Sequence, residues 1–312
     1  MADDRPLPGL IDDHVFLIGR PPLGEYLGFV TSRTVDGDKA DIRQLSDEWR
    51  SANDHIKELE KHEAGAADRP SVSPVPPELG KLLEQVVADP MLPRSFNVVP
   101  TSIGIVALDT LVVFQKDINL NYVREVQRSL GPNPGIDAIF KKCLPFDHPT
   151  PAVNVARIAQ NAFMFVSPSN DLRLLEPVLL GRGQITNYAP LGPVAGVVGI
   201  FVGFGTNYLN AIEAEGRLVL NNGSHRAFAL REIGITHVPC LIQHVSRREE
   251  LSVIAAGELQ TTPDIYLKEA RPPLLKDYFD PKLRKLVKVS RSMRQVKIAF
   301  GVEQLDVPAP RA

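Results

Sequence analysis

From Arg217 to Val245 the chain reads RLVLNN, GSHRAFALREI, G and ITHVPCLIQHV, two apolar runs separated by a segment bounded by Gly223 and Gly234. This order of strand, helix and strand, joined by almost nothing but two glycines, limits the chain to the α/β class. Just upstream, VAGVVGIFVGFG predicts another strand, and the whole uncharged stretch Leu191 to Gly205 reads as a buried strand rather than a membrane span, being short of ~20 residues and broken by glycine. TNYLNAIEAE predicts a helix capped by Thr206 or Asn207 and closed by Gly216. The expected unit is therefore strand, helix, strand, helix, strand.

Around it the chain divides at composition changes. Residues 1–64 hold one strand, an extended proline turn and an amphipathic helix from Asp41 to Glu63, with Leu45, Trp49, Ala52, Ile56 and Leu59 at helical spacing. Residues 65–77 carry four prolines after Ala67 and read as a linker. Residues 78–159 form an α+β extension in which Asn119 caps a helix closed by Gly131. Residues 160–250 form the core, and 251–312 add helices and a basic strand or hairpin, with Ser246 and Glu249 spaced as a capping box. Arg20-Pro21-Pro22-Leu23 and Arg271-Pro272-Pro273-Leu274 repeat a short motif that fades within ten residues, too little for a tandem repeat.

Charge excludes several classes of function. The 35 Lys and Arg against 37 Asp and Glu leave a net −2, a whole-chain field unsuited to holding a polyanion. Cys143 and Cys240 form no metal-binding pair, and with no secretory signal a cytoplasmic location is expected. Seven of the sixteen residues from Lys282 to Lys297 are Lys or Arg, whereas Asp36 to Glu63 holds nine acids against five bases. These segments are expected to pair within the chain or between subunits of a homo-oligomer, since no aromatic residue interleaves the cations to stack on bases.

Asn221-Asn222-Gly223-Ser224-His225-Arg226 joins a strand directly to a helix, which makes an anion site: free backbone N–H groups, a partial positive charge, a glycine for close approach and the Ser224 hydroxyl. Arg226 offers a guanidinium fork for phosphate, and His225 a donor or proton-transfer group. The run from Leu218 to Ile242 resembles the ParB and sulfiredoxin superfamily, with Gly223, His225, Arg226, Ala229, Gly234, Val238 and Pro239 at matching places. The resemblance spans about Val194 to Val245 and implies a mixed-sheet core that binds nucleotide phosphates (ATP, ADP or CTP) at residues 222–226. Ser224 stands where sulfiredoxins carry their catalytic cysteine, so sulfinic acid reduction is not expected. The helix-turn-helix that follows the core in partition proteins is not evident, which makes nucleic acid an unfavoured partner.

The expected function is nucleotide-phosphate binding with phosphotransferase or nucleotidase activity on a small substrate. Phosphoryl transfer needs a group beside His225 that orients the acceptor or holds magnesium, for which Glu213 and Glu176 are the leading candidates and Glu215 and Asp171 lesser ones. The alternatives are a noncatalytic nucleotide- or partner-binding protein and a DNA-associated protein using the basic segment. No histidine set has metal-ligand spacing: His237 and His244 lie seven apart on one strand, and Asp12, Asp13, His14, Asp147 and His148 are left unassigned.

Overall fold

A computed structural model describes residues 10–189 and 192–308 as two compact units of mixed α/β structure. The first takes the described parts of Met1–His148 and Thr206–Arg291; the second takes Pro149–Gly205 and the described part of Ser292–Ala312. The boundary thus falls inside the expected 160–250 core, with residues 160–205 in the second unit and 206–250 in the first.

The first unit opens with β1 (Ile11–Leu17), after which an extended turn through Pro21 and Pro22, as expected, leads into α1 (Leu23–Arg33), a helix that was not expected. The long helix α2 (Ile42–Glu63) starts where Asp41 accepts hydrogen bonds from the Arg43 and Gln44 amides, and its stripe Leu45, Ala52 and Ile56 is buried against Phe16, Tyr26 and Val30. The proline-rich linker opens with turns over 65–69, which bury Ala67 completely, and is extended only beyond them, where it contributes the short β2 (Val72–Ser73). There follow α3 (Gly80–Val87), α4 (Met91–Ser95), β3 (Thr101–Ala107), β4 (Val112–Val113), β5 (Asp117–Asn119), α5 (Leu120–Leu130) and α6 (Ile136–Cys143). Asn119 caps α5 through the Asn121 and Tyr122 amides, as its side chain suggests.

The second unit contains β6 (Asn154–Ala159), β7 (Ala162–Ser167), β8 (Arg173–Gly181) and β9 (Gly196–Gly203). Among the described residues β8 and β9 pair only with each other, and β9 is largely exposed, with Val198 at 72 %. The strand expected between 191 and 205 is present but is not buried; Leu191 lies outside the described residues.

Returning to the first unit, β10 (Asn210–Ala214) occupies the place of the expected helix. Glu215 and Gly216 both have positive φ, at 51° and 80°, and turn the chain directly into β11 (Arg217–Asn222) as an antiparallel hairpin. After α7 (Ser224–Glu232) comes β12 (His237–His244), parallel to β10, giving a six-stranded sheet ordered β2-β3-β12-β10-β11-β4. Ala211, Leu218 and Leu220 face one apolar layer and Ile212, Val219 and Ala214 the other, so β10 is buried on both sides. A strand so placed has a continuous apolar run in which helical spacing is easily read. Leu241 N donates to Leu209 O, so Pro239, two residues earlier on β12, turns its missing donor to the same side at a point β10 does not reach.

The chain closes the unit with α8 (Arg248–Ile254), α9 (Glu258–Thr261), α10 (Asp264–Leu267) and β13 (Arg284–Ser290), which pairs with β1 in a sheet ordered β13-β1-β5. At α8, Glu250 rather than Glu249 accepts from the Ser246 and Arg247 amides. The two Arg-Pro-Pro-Leu segments meet: Arg20 donates to the Arg271 carbonyl, and Arg271, 1 % exposed, is held by Asp277 and Glu63. Finally β14 (Arg294–Ala299) joins the second unit in the sheet β14-β7-β6. Among the described residues no helix is long and apolar enough to cross a membrane.

Candidate functional site

Gly223 has φ +100°, and a Cβ there would stand 3.1 Å from Leu209 Cγ and 3.2 Å from Leu209 Cα. Left-handed backbone and close approach both demand glycine at this position. α7 therefore begins at once after β11, and no side chain caps its first turn. The N–H groups of a helix's first turn and the positive end of its dipole stand at this turn.

The expected site residues are drawn together only in part. Asn222 donates from Nδ2 to the Tyr208 carbonyl at 2.9 Å and so fixes the strand end before the turn. Ser224 is buried as the first helical residue. Arg226, 3 % exposed, turns inward; its Nη1 donates to the Lys142 and Cys143 carbonyls at 3.0 and 3.3 Å, capping the end of α6. This guanidinium is a structural clamp as well as a local positive charge.

Glu213 lies on β10, not on a helix, and stands three residues from Asn210, the residue opposite Asn222; that is about 10 Å along a strand. Its carboxylate meets His244 instead. Glu215 is committed to Arg248 and Lys268, whose hydrogen bonds pull its carboxyl down to about 2. Glu176 and Asp171 belong to the second unit.

Other titratable groups act on the residues of the turn. Lys142, half-buried at the end of α6, has its ammonium pushed below the usual lysine range, first by burial and then by the Arg226 guanidinium, with Asp147 opposing. Among the described residues no carboxylate forms an ion pair with it. On the other side of the turn, His225 packs edge-on against the Tyr122 ring at 5.5 Å. Burial pushes the His225 imidazole down to about 4; Asp117 acts in the opposite sense, while His14 and Arg226 add to the fall. His14 Nδ1 and Asp117 Oδ2 are 2.9 Å apart, joined by the pairing of β1 with β5. The charges of Asp117 and His14 thus act on His225 from this sheet.

Sequence reasoning did not single out Lys142 or Asp117 and left His14 unassigned, because they come from α6, β1 and β5, brought in by packing and pairing over 80 or more positions. The only local signal was Asn119, whose cap fixes the start of α5 beside Asp117. Cys143 is fully buried with its thiol raised to about 12, and burial raises Cys240 further, so both thiols are inert packing groups. Among the described residues no group of three or more His, Cys, Asp or Glu is placed to hold a metal ion. Compared with known family models, curated proteins and solved structures, the chain matches none.

Proposed function

We propose that this protein binds the phosphates of a nucleotide at the start of α7, in the manner of the ParB and sulfiredoxin superfamily, and transfers or hydrolyses a phosphoryl group. The observation that carries the reading is the uncapped first turn of α7 behind a left-handed Gly223, with the cations of Lys142 and Arg226 beside it. Like charges held near a helix N-terminus lower their mutual repulsion by taking up an anion. A nucleotide fits this donor set: the amides of Ser224 and His225 and the Lys142 ammonium would hold its phosphates. His14, oriented by Asp117, would take the proton of the attacking water or hydroxyl, the role first sought in Glu176 and Glu213. A noncatalytic binding protein is the second reading, favoured by the commitment of Glu213 to His244.

The test is a thermal-shift panel of ATP, ADP, CTP and GTP with and without magnesium, followed by phosphate release. Ligand at 100 times its dissociation constant stabilises by ~2.7 kcal/mol. Lys142→Ala, rather than the inward-facing Arg226, is the variant that should weaken binding and leave the fold intact. A flat panel refutes the phosphate site; binding without turnover selects the noncatalytic reading.

A further inference from the structure

At the other end of β10, three adjacent strands bring together groups that the phosphate site does not use. Glu213 on β10 stands directly opposite His244 on β12, and Ser102 on β3 pairs with Ile242, two residues before His244 on the same face. Glu213 Oε2 lies 2.5 Å from His244 Nδ1, and Ser102 Oγ lies 2.7 Å from His244 Nε2. An ionised carboxylate can only accept, so Glu213 fixes the proton on Nδ1 and leaves Nε2 to accept from the Ser102 hydroxyl. We propose that Ser102, His244 and Glu213 form a nucleophile, base and positioning carboxylate that transfer acyl groups from exposed, activated esters.

The chemistry follows from the two hydrogen bonds. Ser102 Oγ bonds to the ester carbonyl carbon as its proton passes to His244 Nε2. The tetrahedral adduct expels the alcohol oxygen, which takes that proton, and an acyl-Ser102 ester remains. Water then repeats the sequence: its oxygen bonds to the acyl carbon, His244 receives and returns one proton, and the carboxylic acid leaves Ser102 restored. Ser102 is exposed, and His244 and Glu213 keep 38 % and 46 % of their side-chain surface, so a substrate reaches the oxygen without any movement of the fold. This position suits a small or surface-displayed acyl group and not a long chain needing a tunnel. Nothing in it depends on nucleotide binding at the Gly223 turn.

The test treats the full chain with a fluorophosphonate probe, which would phosphonylate Ser102 with loss of fluoride, and locates the label by peptide mass spectrometry. The expected result is one label, on Ser102, absent from Ser102→Ala. His244→Gln should slow labelling by about 10²–10⁴-fold, the usual contribution of a positioned base. Glu213→Gln should slow it less, with Glu213→Asp restoring part of the rate, an outcome that a merely structural carboxylate would not give. Hydrolysis of p-nitrophenyl acetate should show a burst lost in the same variants. All three positions are partly or fully exposed, and unchanged circular dichroism verifies their folds. No label, a label on another residue, or a rate indifferent to His244→Gln overturns the proposal.

Discussion

At the scale of single residues, His225 shows how an imidazole is tuned by burial and nearby charge while its ring packs against Tyr122. Its imidazole is pushed down to about 4 mainly by burial, against an ordinary value near 6.5. Above pH ~6.5 the residue is neutral in both folded and unfolded chains and makes no pH-dependent contribution. Between about 6.5 and 4 the unfolded chain takes up a proton that the folded chain refuses, so stability falls as pH falls. At ~1.4 kcal/mol per pH unit this amounts to about 2 kcal/mol by pH 5. Urea unfolding at pH 7.5 and 5 should therefore show a smaller acid loss in His225→Gln than in the parent chain. Equal losses would mean that the imidazole is already well solvated in the folded state. A ring that is neutral at pH 7 brings no charge to the Gly223 turn.

At the scale of elements, the β10–β11 hairpin carries the most consequence, because it puts Asn210 beside the Gly223 turn and Glu213 beside His244. Its two-residue turn requires left-handed backbone at Glu215 and Gly216. Gly216→Ala should cost about 1–2 kcal/mol, seen as a lower urea midpoint with unchanged slope. A neutral result would show that the turn relaxes to another type. The same hairpin marks the boundary of what the sequence reveals. Helices α2, α5 and α7 were legible because Asp41, Asn119 and Gly223 announce their starts locally. Tyr208 to Ala214 lacks the alternation of a one-sided strand, since Ala211 and Ile212 face two different apolar layers that exist only after β11, β12 and the helices are assembled. The site divides in the same way. Its turn can be read from six consecutive residues, whereas Lys142, His14 and Asp117 come to it, and Ser102 to His244, through strand pairing and helix packing that no local pattern encodes.

At the scale of the whole molecule, charge is arranged so that the basic segment is largely spent inside the protein. Lys285 bonds to Glu48 on α2, Arg291 to Asp12 on β1 at 2.5 Å, Arg284 to the Tyr278 carbonyl and Arg294 to the Leu172 carbonyl. The acidic helix meets its cations within the first unit, where Glu63 also binds Lys276 and Arg271. Of the seven cations from Lys282 to Lys297, only Lys282, Lys288 and Lys297 have no such bond among the described residues, and Lys297 belongs to the second unit. Each phosphate neutralised on duplex DNA steepens log affinity against log salt by about 0.9, so three cations allow a slope of at most ~2.7. With a net charge of −2 opposing approach, DNA should bind no more tightly than ~10 μM at 0.15 M salt. Fluorescence anisotropy across a salt series measures both quantities. Submicromolar affinity with a slope of 5 or more would require Lys285 and Arg291 to leave Glu48 and Asp12 for the nucleic acid, and would make the ion pairs on α2 and β1 a switch rather than a fixed part of the fold.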